Sequence, residues 1–558
     1  MTAVLQPLVQ LTQREIEQHL GIPPDPDMGD YAFPCFILSK AWNRSPQEIS
    51  AFLAQKITPV EWIKEAKSAG PYLNFFCDRE LLARETLQDI SKRKEKYGWL
   101  EEGKGNNVVI DYSAPNIAKP FGIGHLRSTV IGNSLYRLHE ALGYNCVGIN
   151  HLGDWGTQFG KLMVAYKQWG SEKSLEKDPI EYLYELYVKF HQEAAAHLNL
   201  EEEARSWFKK LEDGEDEAVG LWKKFRELSL QEFRRVYDRL DIKFDAEQGE
   251  SFYNEMLSST VEMLINRGLA KESEGALIVD LKNYDLPPCL LRKKDGATLY
   301  ATRDLCAAVY RFEHYKFSQM IYVVGAAQSL HFQQIFKVLE LMGFPWANRC
   351  VHVPFGLIKF KEGKMSTRMG NLIFLEDVIN KAVELGREII EEKNPGLKDK
   401  ERVAEMVGIG AVIFGDLSND RIKDIDFDWD KVLDFTGETS PYIQYAHARI
   451  CSILRKVDSN ISSEVNFDLL NREEEQALIL QLARFDENIK KAAENYKPSV
   501  LARYLIELTK NFNYFYHRCP VLTAENELKV ARLFLIDGVR QVLVNGLYLL
   551  GIKAPQEM

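Results

Sequence analysis

The chain has 558 residues, of which 46% are hydrophobic and 27% charged, and its formal net charge is −11. This is the composition of an ordinary globular protein, and the length suggests roughly three or four domains. There is no apolar run of about 18 residues, and the N-terminus lacks a basic stretch followed by an apolar core, so neither a membrane span nor a secretory signal is expected. The 8 cysteines are scattered without a Cys-x-x-Cys pair, which argues against a zinc site or a disulfide framework. The acidic balance, taken alone, argues against a nucleic-acid partner.

Residues 1 to about 100 are predicted to form a small α/β unit. Two helical patterns are separated at Pro46, and residues 69–76 have the pattern of a strand. The charged, glycine-bearing stretch 92–107 has the composition of a linker. The unit is either a stabilising extension or a separate binding domain, and its residues alone leave both possibilities open.

Residues 108–128 predict a strand, a glycine-bearing loop and a helix. The apolar residues of the helix recur at three- and four-residue spacing as far as Leu142, and Gly143 provides a left-handed stop. A second strand, residues 145–150, runs into the polar, glycine-rich turn 151–160. In a doubly wound sheet both loops would open at the carboxyl edge of the strands, where ligands bind.

The first of these loops carries the residue types of a phosphate site. Gly122 and Gly124 let the backbone approach a ligand at the helix N-terminus, where unpaired N–H groups favour phosphate. Lys119 and His125 add side-chain donors at the same end. Loops of this kind also occur in α/β proteins that bind nothing there, so composition alone leaves a nucleotide site and a plain fold equally open.

The middle of the chain is predicted to interrupt and then resume the nucleotide fold. Residues 161–245 are helical and strongly charged, and we interpret 165–295 as an insertion. Residues 276–281 and 298–305 have strand character and are expected to re-enter the sheet, which residues 320–325 continue.

A lysine-rich loop and a helical region complete the chain. Residues 353–371 predict a strand followed by a loop whose cations suit a triphosphate lid, although an exposed basic turn would have the same composition. Residues 376–440 and 441–558 show helical patterns separated by short polar loops. The aromatic run at 512–516 fits a buried core better than a base-stacking platform.

A series of motifs in this order resembles the class I aminoacyl-tRNA synthetases, and the arginyl enzymes in particular. The motifs are SAPNIAKP at 113–120, HLRST at 125–129, NHLGDWGTQFG at 150–160, YATRDL at 300–305, VVGAAQSLHF at 323–332, KMSTR at 364–368 and SPYIQYAHARI at 440–450. They span most of the chain, which makes the series far more specific than one glycine loop.

The resemblance implies an α/β fold built on a Rossmann-like, parallel-sheet catalytic domain. The implied domains are a tRNA-contacting domain at 1–100, the catalytic domain at 105–375 with its insertion at 165–295, a connecting helical region at 376–440 and a helical anticodon-binding domain at 441–558. The implied function is that of a cytoplasmic, monomeric arginine–tRNA ligase in translation. Its partners would be tRNA(Arg), L-arginine and ATP as a substrate, with Mg²⁺ accompanying ATP and no metal site of its own.

The resemblance also assigns residues to three roles. The catalytic residues would be Lys119, His125 and Lys364. The ATP-binding residues would be Gly122, Gly124, His125, Gly153, Asp154, Lys364, Met365 and Ser366. The arginine-binding residues would be Asp111, Asn116, Tyr300, Asp304 and Gln328. A guanidinium is a planar fork of donors that keeps its charge, so carboxylate and phenol partners suit it.

Two departures from the class pattern and one local alternative qualify these roles. Gly122 stands where the class has its first signature histidine, and Thr367 stands where the second signature has its second lysine. Asp304 could instead form a salt bridge with its neighbour Arg303. A nucleotidyltransferase without tRNA, a synthetase for another amino acid and a catalytically silent tRNA-binding paralogue remain the alternatives.

Overall fold

The computed structural model describes residues 1–197, 199–294, 300–359, 374–426, 437–457 and 465–558. The chain divides into two compact units. The first contains 1–97, 450–485 and 507–542, and the second contains 98–449, 486–506 and 543–558. In the described ranges, no helix is long and apolar enough to cross a membrane.

The N-terminal part of the first unit is a small antiparallel sheet with helices. Its strands are β1 (Tyr31–Pro34), β2 (Ile63–Ala69) and β3 (Tyr72–Cys77), in the order β1-β3-β2. Its helices are α1 (Thr2–Leu5), α2 (Gln13–His19), α3 (Ser39–Trp42), α4 (Pro46–Lys56) and α5 (Arg79–Arg93). Pro46 is the first residue of α4, where its missing N–H costs nothing, and Ser45 caps the helix. One hydrophobic core, from Leu5 to Phe75, lies wholly within this region.

The second unit is built on a five-stranded parallel sheet in the order β11-β10-β4-β5-β6. The strands of this unit are β4 (Asn107–Asp111), β5 (Asn145–Asn150), β6 (Ala246–Glu247), β7 (Ala270–Ser273), β8 (Ala276–Val279), β9 (Cys289–Arg292), β10 (Gln319–Gly325), β11 (Cys350–Phe355), β12 (Ile358–Lys359) and β13 (Ile425–Asp426). The predicted strands at 108–110, 145–150 and 320–325 are confirmed as β4, β5 and β10. The parallel-sheet fold class is therefore confirmed.

Helices cover and connect these strands. They are α6 (Ile123–Ala141), α7 (Thr157–Trp169), α8 (Glu172–Lys177), α9 (Pro179–Ala194), α10 (Asn199–Glu212), α11 (Asp216–Arg239), α12 (Leu257–Asn266), α13 (Tyr300–Tyr315), α14 (Ser329–Leu341), α15 (Leu375–Lys393) and α16 (Lys400–Leu417). Short 3-10 helices at Glu250–Met256 and Ala326–Gln328 lead into α12 and α14. Just beyond α6, Gly143 has a φ of +87°, the left-handed conformation expected of a helix stop.

Two sequence predictions in this unit are wrong. Residues 276–281 contribute β8, but β8 pairs with β7 and β9 in a separate antiparallel sheet. Residues 300–305, predicted as strand, begin α13. Buried Ala301, Leu305 and Ala308 recur at helical spacing, and this period outweighs the local strand propensity of the tyrosine and threonine. The parallel sheet also gains β6 from within the segment predicted as an insertion.

The end of the chain is helical, as the fold-class prediction required. Its helices are α17 (Ser440–Arg455), α18 (Glu473–Ala483), α19 (Phe485–Glu494), α20 (Pro498–Arg518) and α21 (Asn526–Leu549). Within the first unit α18 lies beside α5, and the Tyr97 hydroxyl donates to the Leu482 carbonyl at 2.9 Å.

Candidate functional site

The loop between β4 and α6 is held in a strained conformation. Ser113, Ala114 and Ala118 have φ values of +72°, +49° and +59°, which non-glycine residues rarely adopt. Ser128 fixes the start of the loop, because its hydroxyl accepts from the Ser113 N–H at 2.9 Å and donates to the Val323 carbonyl at 2.6 Å. Strain of this kind persists where the surroundings impose it, often at ligand sites.

The N-terminus of α6 is open at Gly124. This residue is exposed, and a Cβ built on it would meet no atom of the described residues within 4 Å. Gly122 precedes the helix as its N-cap and has no side chain to satisfy the first N–H groups. The backbone N–H groups of this first turn lie at the positive end of the helix dipole, where they suit an anion.

His125 and Lys119 lie at the same helix end, and the histidine is uncharged at neutral pH. Burial, with a smaller contribution from the positive charge of Lys119, lowers the pKa of His125 to about 4. The buried Nδ1 atom of His125 has no hydrogen-bond partner within the described ranges. Lys119 lies with its Nζ 5.2 Å from the centre of the Tyr187 ring on α9. The pair thus offers one neutral and one charged donor to an anion.

The second predicted loop meets the first through Gly153. The Gly153 N–H donates to the Pro115 carbonyl at 3.0 Å, and the Ile117 N–H donates to the Gly153 carbonyl at 3.1 Å. A Cβ at Gly153 would lie 2.4 Å from Oδ1 of Asn116, so only glycine permits this approach. The loops after β4 and β5 are therefore locked together, as their common sheet edge predicted.

The Asp154 carboxylate is held by groups of the protein itself. Its side chain is fully buried, and Oδ2 accepts from Arg226 Nε at 3.0 Å and from the Ser251 hydroxyl at 2.8 Å. Oδ1 accepts from the Ser251 N–H at 2.8 Å. Both carboxylate oxygens are engaged by protein groups and therefore hold the loop that contains Asp154 in place, and a contact of this residue with ATP stays a prediction.

Asp111 forms a buried ion pair within the protein. Its buried Oδ2 accepts from Nη1 of Arg311 on α13 at 2.7 Å, and Arg311 is itself 1% exposed. Oδ2 of Asp111 is thus held in an internal ion pair, and the place of Asp111 at the edge of the arginine pocket stays a prediction.

Tyr300 and Asp304 occupy the first turns of α13. Tyr300 is 63% exposed. Oδ2 of Asp304 lies 2.5 Å from Nε2 of His331 on α14. The alternative partner, Arg303, turns away and donates to the Glu250 carbonyl at 2.7 Å and to Oδ1 of Asn254 at 2.6 Å. The alternative of a salt bridge between Asp304 and Arg303 is therefore wrong, and a histidine from the VVGAAQSLHF motif is the partner of Asp304.

Glu250 joins this cluster and was missed in the sequence. Burial raises the pKa of Glu250 to about 8, with smaller upward contributions from Asp304 and Asp154 and an opposing one from Arg303. Burial and the nearby Glu250 also raise the pKa of Tyr300. No motif marks this glutamate, because only the fold brings residue 250 to the start of α13.

The remaining predicted residues fall into two groups. Gln328 is exposed and forms the N-cap of α14, three residues from His331. Lys364, Met365 and Ser366 lie outside the described residues. In the part of the chain that the structure describes, no group of three or more His, Cys, Asp or Glu side chains could hold a metal ion.

Comparisons with family models, related sequences and solved structures all indicate the same family of proteins, and together they cover nearly the whole chain. Family models match for the catalytic domain of class I tRNA synthetases (R) at 86–429, the DALR anticodon binding domain at 443–558 and the arginyl tRNA synthetase N terminal domain at 1–77. The arginine–tRNA ligase of Alkaliphilus metalliredigens is 49% identical over 98% of this chain and 96% of its own, and that of Clostridioides difficile is 48% identical over 98% and 97%. The arginyl-tRNA synthetase structure from Thermus thermophilus matches with a TM-score of 0.88 at 27% identity, over 100% of this chain and 98% of that one. The Plasmodium falciparum structure matches with a TM-score of 0.82 at 27% identity, over 97% and 94%.

Proposed function

We propose that the chain, which belongs to the arginyl-tRNA synthetase family, activates L-arginine with ATP and transfers it to the 3′ end of tRNA(Arg). The observation that carries the proposal is the clustering of Glu250, Tyr300 and Asp304 in the unit that also holds the open N-terminus of α6. Two acidic side chains and a phenol suit a guanidinium, and the helix end suits a triphosphate.

In the first step an oxygen of the arginine carboxylate attacks the α-phosphorus of ATP. The new P–O bond gives arginyl-adenylate, and the bond to the β-phosphate breaks to release diphosphate. Positioning and cations supply most of such catalysis. We assign the phosphates to the N–H groups at Gly122 and Gly124, to neutral His125 and to Lys119.

The second signature sequence, KMSTR at 364–368, would also contact the nucleotide. We assign Lys364 to the phosphates, with Met365 and Ser366 beside the nucleotide, on the strength of the KMSTR sequence alone. Mg²⁺ would enter with ATP and be held by phosphate oxygens and water, since Mg²⁺ usually keeps several waters and needs few protein ligands.

Recognition of the arginine side chain is assigned to two carboxylates. Glu250 and Asp304 would accept from the guanidinium, and Tyr300 would cover it. Asn116 and Gln328 carry amides that can both donate and accept, which suits the amino and carboxylate groups of arginine. In the second step the terminal ribose hydroxyl of tRNA attacks the activated carbonyl and AMP leaves.

Contacts with tRNA are proposed for both ends of the chain. On α20, Tyr514 is 52% exposed and Tyr516 37% exposed, whereas Phe512 and Phe515 are fully buried. The guanidinium of Arg518 lies 4.2 Å from the Tyr514 ring centre, so this surface offers stacking and charge together. Residues 1–77 match the N-terminal domain of the family, and we assign them to tRNA as well. A monomeric enzyme acting in the cytoplasm remains part of the proposal.

The test is aminoacylation of total tRNA with each of the twenty amino acids in turn. Charging of tRNA(Arg) with arginine alone would support the proposal. Charging with another amino acid, or tRNA binding without charging, would replace it by one of the alternatives raised by the sequence.

A further inference from the structure

We propose that His331 is a positioning residue that holds the Asp304 carboxylate in the orientation that reads the arginine guanidinium. The inference rests on the proposed function, because it assumes that Asp304 faces arginine. It adds a residue on a second helix to the pocket. This residue contacts Asp304 and does not contact the substrate itself.

The geometry defines one specific hydrogen bond between two helices. Nε2 of His331 lies 2.5 Å from Oδ2 of Asp304. A carboxylate can only accept, so the imidazole carries its proton on Nε2 and donates it. The side chains are 21% and 24% exposed respectively, so both lie at the edge of the pocket, neither fully buried nor free in water.

A partly exposed aspartate on a helix needs such a partner in order to bind the guanidinium selectively. Without one, the carboxylate samples several rotamers and is hydrated in each, and binding must then order it. With Oδ2 engaged by His331, the plane of the carboxylate is set and Oδ1 is left to accept.

His331 lies in the first turn of α14, where the surrounding structure fixes the position of its imidazole ring. It is the third residue of the helix and is preceded by the 3-10 helix Ala326–Gln328. Its ring packs against Phe332, with ring centres 5.5 Å apart, and Phe332 is buried. The imidazole is thus supported from the core while its Nε2 reaches across to α13.

Three substitutions at this position separate a specific hydrogen bond from general packing. The amide nitrogen of glutamine falls about where Nε2 lies, so His331→Gln should keep the KM for arginine within about twofold of the wild type. The amide of asparagine falls about where Nδ1 lies and is too short, so His331→Asn should behave like His331→Ala. Both should raise the KM for arginine roughly three- to tenfold.

The readouts are KM for arginine, KM for ATP, and the ratio of kcat/KM for arginine over citrulline, with thermal midpoints as a control for folding. Citrulline has nearly the shape of arginine but no charge, so a disordered Asp304 should lower the ratio while KM for ATP stays unchanged. If His331→Ala and His331→Asn keep the wild-type KM and ratio, or if His331→Gln is as impaired as His331→Ala, the proposal is overturned.

Asp304→Asn distinguishes failure of this inference from failure of the proposed function. If that substitution leaves the arginine to citrulline ratio unchanged, the pocket itself has been misassigned. If it lowers the ratio and His331→Ala does not, only the role of His331 is refuted. In the Asp304→Asn background, His331→Ala should cause no further loss of selectivity, because the two residues act through one contact.

Discussion

Glu250 should make arginine binding depend on pH. Burial raises the pKa of this carboxyl to about 8, so the free protein holds it mostly protonated at neutral pH. A guanidinium favours the carboxylate, so arginine binding should expel the proton. Binding should therefore tighten as the pH rises towards 8 and level off above it.

The size of the effect follows from the ionised fraction. With a pKa of about 8, roughly 3% of Glu250 is ionised at about pH 6.5 and roughly 75% at about pH 8.5. If only the ionised form binds, the dissociation constant for arginine should fall about 25-fold over this range, close to 2 kcal/mol. The α-carboxylate and the guanidinium of arginine do not titrate in this interval, and its α-amino group loses its proton only slightly at the upper end, a contribution that Glu250→Gln measures separately.

Calorimetry of arginine binding to the free protein measures this directly. Repeating it in buffers of different ionisation enthalpy counts the protons released, which should approach one near pH 7. Glu250→Gln should give a flat pH profile and match the wild type only at low pH, whereas Asp304→Asn should keep the slope. A wild-type profile that changes by less than about threefold would refute the assignment of Glu250 to the guanidinium.

Three further expectations follow from the site. Lys119→Ala and Lys364→Ala should each lower kcat for aminoacylation more than tenfold, because each removes one charge-assisted contact worth about 1.5–3 kcal/mol. Wild-type rates in both variants would mean that the phosphates bind elsewhere. Arg311→Met should lower the free energy of unfolding in urea by about 3–5 kcal/mol, because it leaves Asp111 buried without its partner, and adding Asp111→Asn should restore part of the loss. A cost unchanged by the second substitution would contradict this. Deleting residues 1–77, which carry their own core, should raise KM for tRNA while KM for ATP stays within about twofold; an unchanged KM for tRNA in a folded truncation would assign them to stability.

Much of the nucleotide fold could be predicted because local signals agree there. The buried run at 108–110, the helical apolar spacing of α6 and the left-handed Gly143 all point to the same strand, loop and helix. The error at 300–305 arose where two signals disagreed. Tyrosine and threonine favour strands, but burial of Ala301 and Leu305 on one face against the core decided for a helix.

The site was predicted less completely, because its electrostatics depend on contacts between distant segments. No local sequence signal predicts that Asp111 pairs with Arg311, which is 200 residues away, or that Asp304 pairs with His331. Glu250 is one of 81 acidic residues, and only its burial beside α13 distinguishes it. Motifs locate residues along the chain, whereas the contact that orients Asp304 through His331 becomes visible only in three dimensions.

The ion pair between Asp111 and Arg311 is best explained by geometry. Buried ion pairs add little net stability, because desolvation cancels most of their attraction. Arg311 lies seven residues after Asp304 on α13, so both project from one face of that helix. Asp111 ends β4, the strand from which the loop to α6 departs. The pair therefore sets the distance between the helix that we assign to arginine and the loop that we assign to the phosphates. In-line attack on a phosphorus tolerates little error in that distance, which gives a costly buried pair a reason to be retained.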